Sequence, residues 1–459
     1  MMTEPALNKK ETAELIVRKL QEAGYIGLFV GGAVRDMMLN REPFDFDIGT
    51  SATPKNIESL FRHTIPVGRS FGVVRVIENG FAFDLATFRR DGSYSDKRRP
   101  DKVVFTVDPK EDANRRDFTV NGLMFDPVKN KILDFVGGIE DLNHRTIRAI
   151  GDPNARFEED RLRIFRAVRF ATVLDFSIDE NTADAIRRSS TKIVSVSAER
   201  IREELFKLLG ADNASYGIKL LDDLGILKHV IPEVESMKET AQPKEFHPEG
   251  DVYFHSLLTL KNIESDDPVL RLAALIHDIG KPSTYSESDR IRFNGHAKKG
   301  AEIAARIAGR LRLSNSQTNR LVGLVKDHMR IGDTVHMREA KLKKFLARED
   351  IFDLLELHKA DCLASHGNLE NYEYCIAKRA EFKNTPALEK PLITGHDLIS
   401  IGLDPGPIFG KILAFVEDGR LEGTITGRNQ AIEMVKKKFA KVFREKDMDI
   451  PDDDGNEKA

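Results

Sequence analysis

The chain is poor in the features that would place it in several common classes. Among 459 residues there are only two cysteines, Cys362 and Cys375, so no disulfide framework is implied and a reducing compartment suits it. No apolar run approaches the roughly 20 residues a membrane span needs. The opening MMTEPALNKKETAEL has no apolar secretory core. The expectation is a cytoplasmic protein with no membrane partner. An excess of one charge is also missing: the formal net charge is −3, although 32% of residues are charged. Nucleic-acid contact must therefore come from local basic patches rather than a global field. There is no internal repeat. Apolar residues reach 41%, enough for real cores, and the length implies two to four domains.

What is present changes texture along the chain. Up to about residue 150, strand-like runs alternate with helix patterns. GLFVGG (27–32), FDFDIGT (44–50), VVRVI (73–77), FAFDLATF (81–88) and KVVFTV (102–107) read as strands, and AVRDMMLN (33–40) as a helix. From about residue 153, segments of 3.6-residue period follow one another, such as EDRLRIFRAVRFATVL and AERIREELFKLLG, the latter stopping on glycine. The Pro/Gly-containing ETAQPKEFHPEGD (239–251) marks a boundary, as does KNTPALEKPLITG (383–395). The terminal DMDIPDDDGNEKA reads as disordered. The expected fold class is multidomain α+β. A head with a small mixed sheet spans 1–150, a helical neck and body 151–238, a third, helical unit 239–382, and a helical tail with a disordered end 383–459.

FDFDIGT alternates with a period of two, which sets Phe44, Phe46 and Ile48 on one face and Asp45 and Asp47 on the other. Nucleotidyl transfer uses such a carboxylate pair to hold two divalent ions roughly 4 Å apart, and the ions relieve the repulsion between the acids. Asp84, in FAFDLATF, offers a third carboxylate on another strand. Alone, an Asp-x-Asp more often just solvates a strand's outer face. Here FVGGAVRD (29–36) stands upstream: a strand runs into Gly31 and Gly32, then a helix begins. The glycines let backbone N–H groups approach a phosphate, and Arg35 lies one turn further on.

Together with FRRDGSYSDKRRPD (88–101), RRDFTVNGLMFD (115–126) and RFEEDRLRIFRAVRF (156–170), these motifs resemble in order and spacing the class II tRNA nucleotidyltransferase and bacterial poly(A) polymerase superfamily. The resemblance implies a polymerase-β-like head followed by helical neck, body and tail. It implies template-independent addition of C and A nucleotides to the 3′ end of tRNA (CCA addition) from CTP and ATP, with Mg²⁺. Asp45 and Asp47 are then metal ligands and Asp84 the third catalytic carboxylate. Gly32 and Arg35 contact the triphosphate, and Arg116, Asp117 and Asn121 fall in the ribose-recognition motif. Asp160 and Arg163 select the base, Arg166 and Arg169 contact the triphosphate, and Arg89, Asp91, Arg98 and Arg99 lie in a flexible basic loop.

The base-selecting role has a physical rationale. Spacing of i, i+3 places Asp160 and Arg163 on one helix face, where a surface ion pair is the plainer meaning. Cytosine and adenine both present an amino donor beside a ring-nitrogen acceptor, which a carboxylate and a guanidinium complement. Uracil and guanine present the reverse and would leave buried groups unsatisfied, at about 1–3 kcal/mol each. Enzymes adding only A or only CC, and poly(A) polymerases, share these motifs. Poly(A) polymerases carry two basic residues and then Phe-Arg after the VG that follows this strand. VGRSFGVV (67–74) has Ser70 and Gly72 at two of those positions, which favours tRNA.

Between 251 and 365 come DVYFHSLLTL, LIHDIGK, FNGHAKKG, VKDHMRIG and LHKADCLAS. They resemble the HD phosphohydrolase superfamily. His277 and Asp278 form the adjacent pair, His255 lies upstream and Asp361 downstream, and His296 and His328 stand where two-metal members place extra ligands. Asp327 is an alternative ligand, and Lys281 can hold a phosphate. Such a mixed set suits Mn, Fe, Ni or Co and can generate a metal hydroxide that attacks a phosphate ester. A reading of another class is an HD phosphohydrolase whose head only binds RNA. The basic MVKKKFAKVFREK (434–446) reads by default as a packed helix with a solvated face.

Overall fold

The computed structural model describes residues 7–68, 71–91, 103–243, 250–382, 391–440 and 442. Ser70, Arg98, Arg99 and the terminal stretch lie outside these residues.

The head is built on a seven-stranded sheet. Its strands are β1 (Gly27–Val30), β2 (Ile48–Thr50), β3 (Thr64–Gly68), β4 (Val73–Glu78), β5 (Phe81–Thr87), β8 (Met124–Asp126) and β9 (Lys131–Leu133), in the order β3-β4-β5-β2-β1-β8-β9. β6 (Arg89–Asp91) and β7 (Val103–Phe105) form a separate hairpin. β2 and β5 run parallel and the other neighbours antiparallel, so the sheet is mixed. Side-chain alternation covers both faces. Phe29 enters the main core with Ala13, Ile16, Val17 and Leu20 of the helix Lys9–Glu22, while Leu28 and Val30 join Phe88, Ala113 and Met124 in a second cluster.

Several strands are shorter than their apolar runs. FDFDIGT is the instructive case, because pairing begins only at Ile48. β1 meets β2 from Gly27↔Thr50 to Phe29↔Ile48, and Val30 N–H still reaches the Asp47 carbonyl at 3.0 Å. Gly31 then turns the chain with φ +71° into the helix Gly32–Met38, so residues 44–46 have no strand to pair with. Phe46 is buried 5.1 Å from Phe29, but Phe44 is 93% exposed rather than facing the core. β3, β8 and β9 have no strand signal in the sequence: TIPVG exposes Ile65 and Val67, and the other two have three residues each.

Beyond Ile147 the described residues are helical apart from two short two-stranded pairings. EDRLRIFRAVRFATVL is not one helix. The helices Pro153–Glu159 and Leu162–Leu174 are separated at Asp160, which has extended backbone (φ −140°, ψ 107°) and accepts from Leu162 N at 3.0 Å. A short carboxylate bonding the next turn competes with helix continuation. Arg271, 4% exposed, donates to the Leu209 carbonyl at 2.7 Å. It thereby satisfies the C-terminal end of the helix Ala198–Leu209 from the helix Pro268–Ile276. The tail helices Gly395–Ser400, Ile408–Leu421 and Arg428–Lys438 enclose their own apolar cluster. No helix among the described residues is long and apolar enough to cross a membrane.

A Cβ on Gly280 would lie 2.1 Å from the His296 carbonyl oxygen and 2.6 Å from Gly300 N. The helix His296–Arg310 therefore reaches the turn after His277-Asp278 only because residue 280 has no side chain. Gly280→Ala is expected to destabilise by about 2 kcal/mol or more, the scale of overpacking a tight contact. It should also lower retained transition metal, read by denaturant midpoint and by metal content after dialysis.

Candidate active sites

A cleft of about 450 Å³ lies where the turn after β1, the segment Arg115–Asn121 and the start of the helix Leu162–Leu174 meet. It brings together Gly32, Arg35, Asp47, Arg116, Asp117, Asn121, Asp160, Arg163 and Arg166. Asp117 is its organising charge. Its Oδ1 accepts from Phe118 N (2.8 Å) and Asn121 Nδ2 (3.2 Å), and its Oδ2 accepts from Arg166 Nε (2.9 Å) and Nη2 (2.5 Å). Burial alone would raise its pKa, but the Arg166 charge and hydrogen bond, helped by Asn121, hold it down at about 2. Arg35 Nη1 donates to Asn121 Oδ1 at 2.8 Å, which fixes the amide with its NH₂ toward Asp117.

Asp160 and Arg163 line the same cleft but do not pair with each other. Asp160 takes a two-pronged bond from Arg200, at 2.8 and 3.2 Å. Arg163 donates to Glu159 (2.6 Å), to the Arg156 carbonyl (3.3 Å) and to the Arg115 carbonyl (3.1 Å). The i, i+3 expectation presumes one continuous helix, and the break at Asp160 removes it. Arg169 sits outside the lining, stacked on Phe170 at 3.7 Å and bonded to Glu204 at 2.5 Å. Arg200 and Glu204 have no sequence motif to reveal them, and Glu159 and Phe170 lie in RFEEDRLRIFRAVRF without being singled out there. Arg200 and Glu204 share a face at i, i+4, but within an amphipathic helix that pattern reads as an ordinary polar side.

Of the three head acids, Asp47 lines this cleft. β2 and β5 are in register at Ile48↔Leu85, so Asp47 and Asp84 are neighbours one step before the paired residues. Asp47 retains solvent access, yet desolvation first and the Asp45 charge second raise its pKa; Arg116 opposes and Asp84 adds. Asp45 is turned to Lys9 (3.0 Å), and Asp84 is gripped by Arg75 at 2.7 and 2.9 Å. Asp45 and Asp84 lie near enough for their charges to act on Asp47, but the three acids do not close into a tight cluster among the described residues. They offer carboxylate oxygen alone, the donor type of hard divalent ions. Arg89 donates to the Phe71 carbonyl at 2.7 Å at the stem of the basic loop, and Asp91 ends β6.

The HD-like motifs do form a tight cluster. The ligand atoms of His255, His277 and Asp361 lie within 4.8 Å of one another, as do those of Asp278, His296 and His328. His277 Nδ1 is 2.8 Å from the Ala274 carbonyl, His296 Nδ1 2.9 Å from that of Phe293, and His328 Nδ1 2.8 Å from that of Val325. A carbonyl only accepts, so each Nδ1 carries the proton and each Nε2 presents a lone pair. Buried His277 Nε2 then faces Asp278 Oδ2 at 3.2 Å with no hydrogen-bond partner among the described residues, and His296 Nε2 faces His328 Nε2 at 3.3 Å. Acceptors aimed at acceptors inside a protein are the arrangement a cation resolves, so the residues fit divalent metal. Asp278 belongs to the second trio and reaches toward the first, as a bridging carboxylate does. Asp327 stands outside both trios, and its carboxylate is bound by Arg348 and Arg330. Lys281 bonds Asp278 at 2.6 Å and lines an adjoining cavity of about 1090 Å³.

Comparison with known proteins bears on both sites. The Poly A polymerase head domain family matches residues 27–148. The family described as the probable RNA and SrmB-binding site of polymerase A matches 175–238, and the HD domain family matches 251–364. A CCA-adding enzyme of Limosilactobacillus reuteri is 40% identical over 255 residues, 55% of this chain and 63% of that protein. One from Geobacillus sp. (strain WCH70) is 44% identical over 215 residues, 47% and 53% of the two chains. The matches thus span between half and two thirds of these relatives' lengths. The structure of the Bacillus stearothermophilus CCA-adding enzyme in complex with CTP superposes with a TM-score of 0.74 at 25% identity, covering 96% of this chain and 100% of that one. The Thermotoga maritima CCA-adding enzyme complexed with tRNA, at 20% identity and a TM-score of 0.59 over 95% and 97% of the chains, shares the fold. The chain thus carries regions that match the Poly A polymerase head, the polymerase A RNA-binding and the HD domain families, in that order, and along its length it is similar to CCA-adding enzymes.

Proposed function

We propose that this chain is a cytoplasmic tRNA nucleotidyltransferase that adds C and A to the tRNA 3′ end from CTP and ATP. The observation that carries the reading is the cleft itself. A carboxylate (Asp160) and a guanidinium (Arg163) are fixed at one wall and the nucleotide-motif residues at the other, with Asp47 at its edge. The head is assigned to 1–150, the neck and body to 151–238, the HD unit to 239–382 and the tail to 383–459. The three family matches fall within these bounds, which supports the division.

Mg²⁺ held by Asp45 and Asp47, with Asp84 beside them, would activate the terminal hydroxyl and neutralise the leaving pyrophosphate. The chain's own side chains do the rest. Gly32 leaves room for phosphate near Arg35, and Arg116 and Arg166 add positive charge around it. Asp117 and Asn121 position Arg166 and Arg35 and present polar atoms to the ribose. Arg163 uses three of its five N–H groups on protein acceptors, so its plane is set before a base arrives. Arg200 does the same for Asp160. Preset donor and acceptor accept cytosine or adenine and mismatch uracil and guanine. Arg89, Asp91, Arg98 and Arg99 are assigned to a loop acting in the switch to adenosine.

The second cluster supports a distinct metal-dependent phosphohydrolase. His255, His277 and Asp361 hold one transition ion (Mn, Fe, Ni or Co), and Asp278, His296 and His328 the other. The softer imidazole-rich set separates it from the all-carboxylate head.

The deciding assay is product length on tRNAs ending before CCA, at C or at CC, with each nucleotide supplied singly. Stepwise completion to CCA is expected; addition of A alone, or long A tails, would overturn the reading. Asp47→Ala should lower incorporation by about a hundredfold or more while tRNA retention on filters holds within about twofold. Asp160→Ala and Arg163→Ala should each erode CTP and ATP preference over UTP and GTP by about tenfold to a hundredfold, the worth of one buried mismatch. Unchanged selectivity in both would make the pair structural.

Asp117 gives a pH test. Its folded pKa of about 2 lies below the ordinary 3.8, so its stabilisation is complete above about pH 4 and is lost as pH falls toward 2. The difference corresponds to about 2 kcal/mol. Urea unfolding between pH 4 and 2 should fall by that much more in the wild type than in Asp117→Asn. Parallel acid limbs would remove Asp117 as the lock on Arg166.

A further inference from the structure

The cavity beside the HD cluster contains a polar side chain that the phosphohydrolase reading leaves unused. Gln242 comes from the stretch joining the neck to the HD helices. It is 5% exposed and lines the cavity with Asp278, Lys281, His296 and Asp361. Its Oε1 accepts from Lys281 Nζ at 2.7 Å. An ammonium has donors and no acceptor, so the amide oxygen must face it and the NH₂ must face away. That nitrogen, Nε2, is buried without a hydrogen-bond partner among the described residues. A buried N–H left in this state costs about 1–3 kcal/mol, and native structures rarely retain one without a use. Pro243 follows directly and disfavours helical backbone at Gln242, so the side chain starts from a restrained position.

Lys281 is 7% exposed and spends two of its three N–H bonds on Asp278 (2.6 Å) and Gln242. One ammonium N–H and the Gln242 amide N–H groups remain side by side, next to the carboxylates and imidazoles that fit metal. Donors of that kind, with no acceptor between them, complement the oxygens of an anion held against the metals.

We propose that Gln242 is a phosphate-binding residue of the HD site. Its NH₂ donates to a non-bridging oxygen of a phosphate ester, while its carbonyl holds Lys281 for the same group. The proposal rests on the phosphohydrolase reading of this site. It also has a structural consequence. The HD family match begins at residue 251, so one wall of the anion pocket is supplied by chain that precedes the HD helices.

The test uses the full chain reconstituted with Mn²⁺, comparing wild type, Gln242→Ala and Gln242→Glu. Inorganic phosphate is titrated calorimetrically, and hydrolysis of bis(4-nitrophenyl) phosphate is followed separately. Gln242→Glu keeps an oxygen toward Lys281 and exchanges the NH₂ for a second oxygen. A role confined to buttressing Lys281 would therefore leave it unharmed. The phosphate Kd is expected to rise about tenfold in Gln242→Ala and further in Gln242→Glu, the worth of one lost donor and of one added repulsion. The ester KM should rise more than kcat falls. Cooperative unfolding and nucleotide addition at the head should be kept in both variants. If Gln242→Glu binds phosphate as tightly as wild type, the proposal fails. If wild type hydrolyses the ester and Gln242→Ala keeps full phosphate affinity, the proposal fails and the phosphohydrolase reading stands. If metal-loaded wild type neither binds phosphate nor hydrolyses the ester, that reading falls and the proposal with it.

Discussion

Burying Asp117 would by itself push a proton onto it. Arg166, Asn121 and the Phe118 amide reverse that, and in doing so they tie separate stretches of chain to one carboxylate. The tie runs further: Asn121 is also the acceptor for Arg35, and Arg166 leans on Glu204 at 3.8 Å. The turn after β1, the Arg115–Asn121 segment and the helix Leu162–Leu174 therefore meet around a closed set of donors and acceptors. A pocket proposed to receive a triphosphate needs cationic groups, and these would repel one another and stray in solvent. Binding them to acids, buried ones in half of the pairs, keeps them in place.

The two sites solve the problem of crowded like groups differently. In the head, two of three acids are drawn aside by Lys9 and Arg75, and burial with the neighbouring Asp45 charge raises the pKa of Asp47. In the HD cluster, backbone carbonyls take the assigned Nδ1 protons of His277, His296 and His328 and leave their Nε2 lone pairs converging. The first arrangement is open and suits an ion that arrives with a nucleotide. The second is closed and suits resident metal.

Much of this was legible in the sequence because the chemistry prescribes residue type and order. The Asp-x-Asp, the glycine turn and the H…HD…H…H…D series each mark candidate residues, and the fold gathers the last series into two trios while the head acids stay apart. What was not legible depends on where helices and strands stop. Asp160 and Arg163 count as one face only if their helix is unbroken, and the carboxylate of Asp160 itself ends it by bonding Leu162 N. The strand around Asp45 stops because Gly31 turns its partner away, which is a property of β1 rather than of FDFDIGT. Arg200 and Glu204 belong to an ordinary amphipathic pattern, and only tertiary contact shows what their polar side faces. Gln242 sits in a Pro/Gly stretch with no periodicity at all, where sequence reading finds a boundary and stops.

The helix Ala198–Leu209 links these observations. Arg200, in its first turn, holds Asp160; Glu204, one turn on, holds Arg166 and Arg169; and its last carbonyl is capped by Arg271. Arg271 lies on the helix Pro268–Ile276, whose next two residues are His277 and Asp278. At 1.5 Å per residue the span from Arg200 to Leu209 is about 14 Å, short enough for an α-helix to act as a rigid strut. Both sites are therefore referenced to one element. Rigid reference is not signalling, which requires an element with two arrangements that each site biases. The polar contacts named along this strut are part-buried ion pairs and a capped carbonyl on a helix whose other face is in the core, and such contacts favour one arrangement. What the helix conveys between the two sites is position.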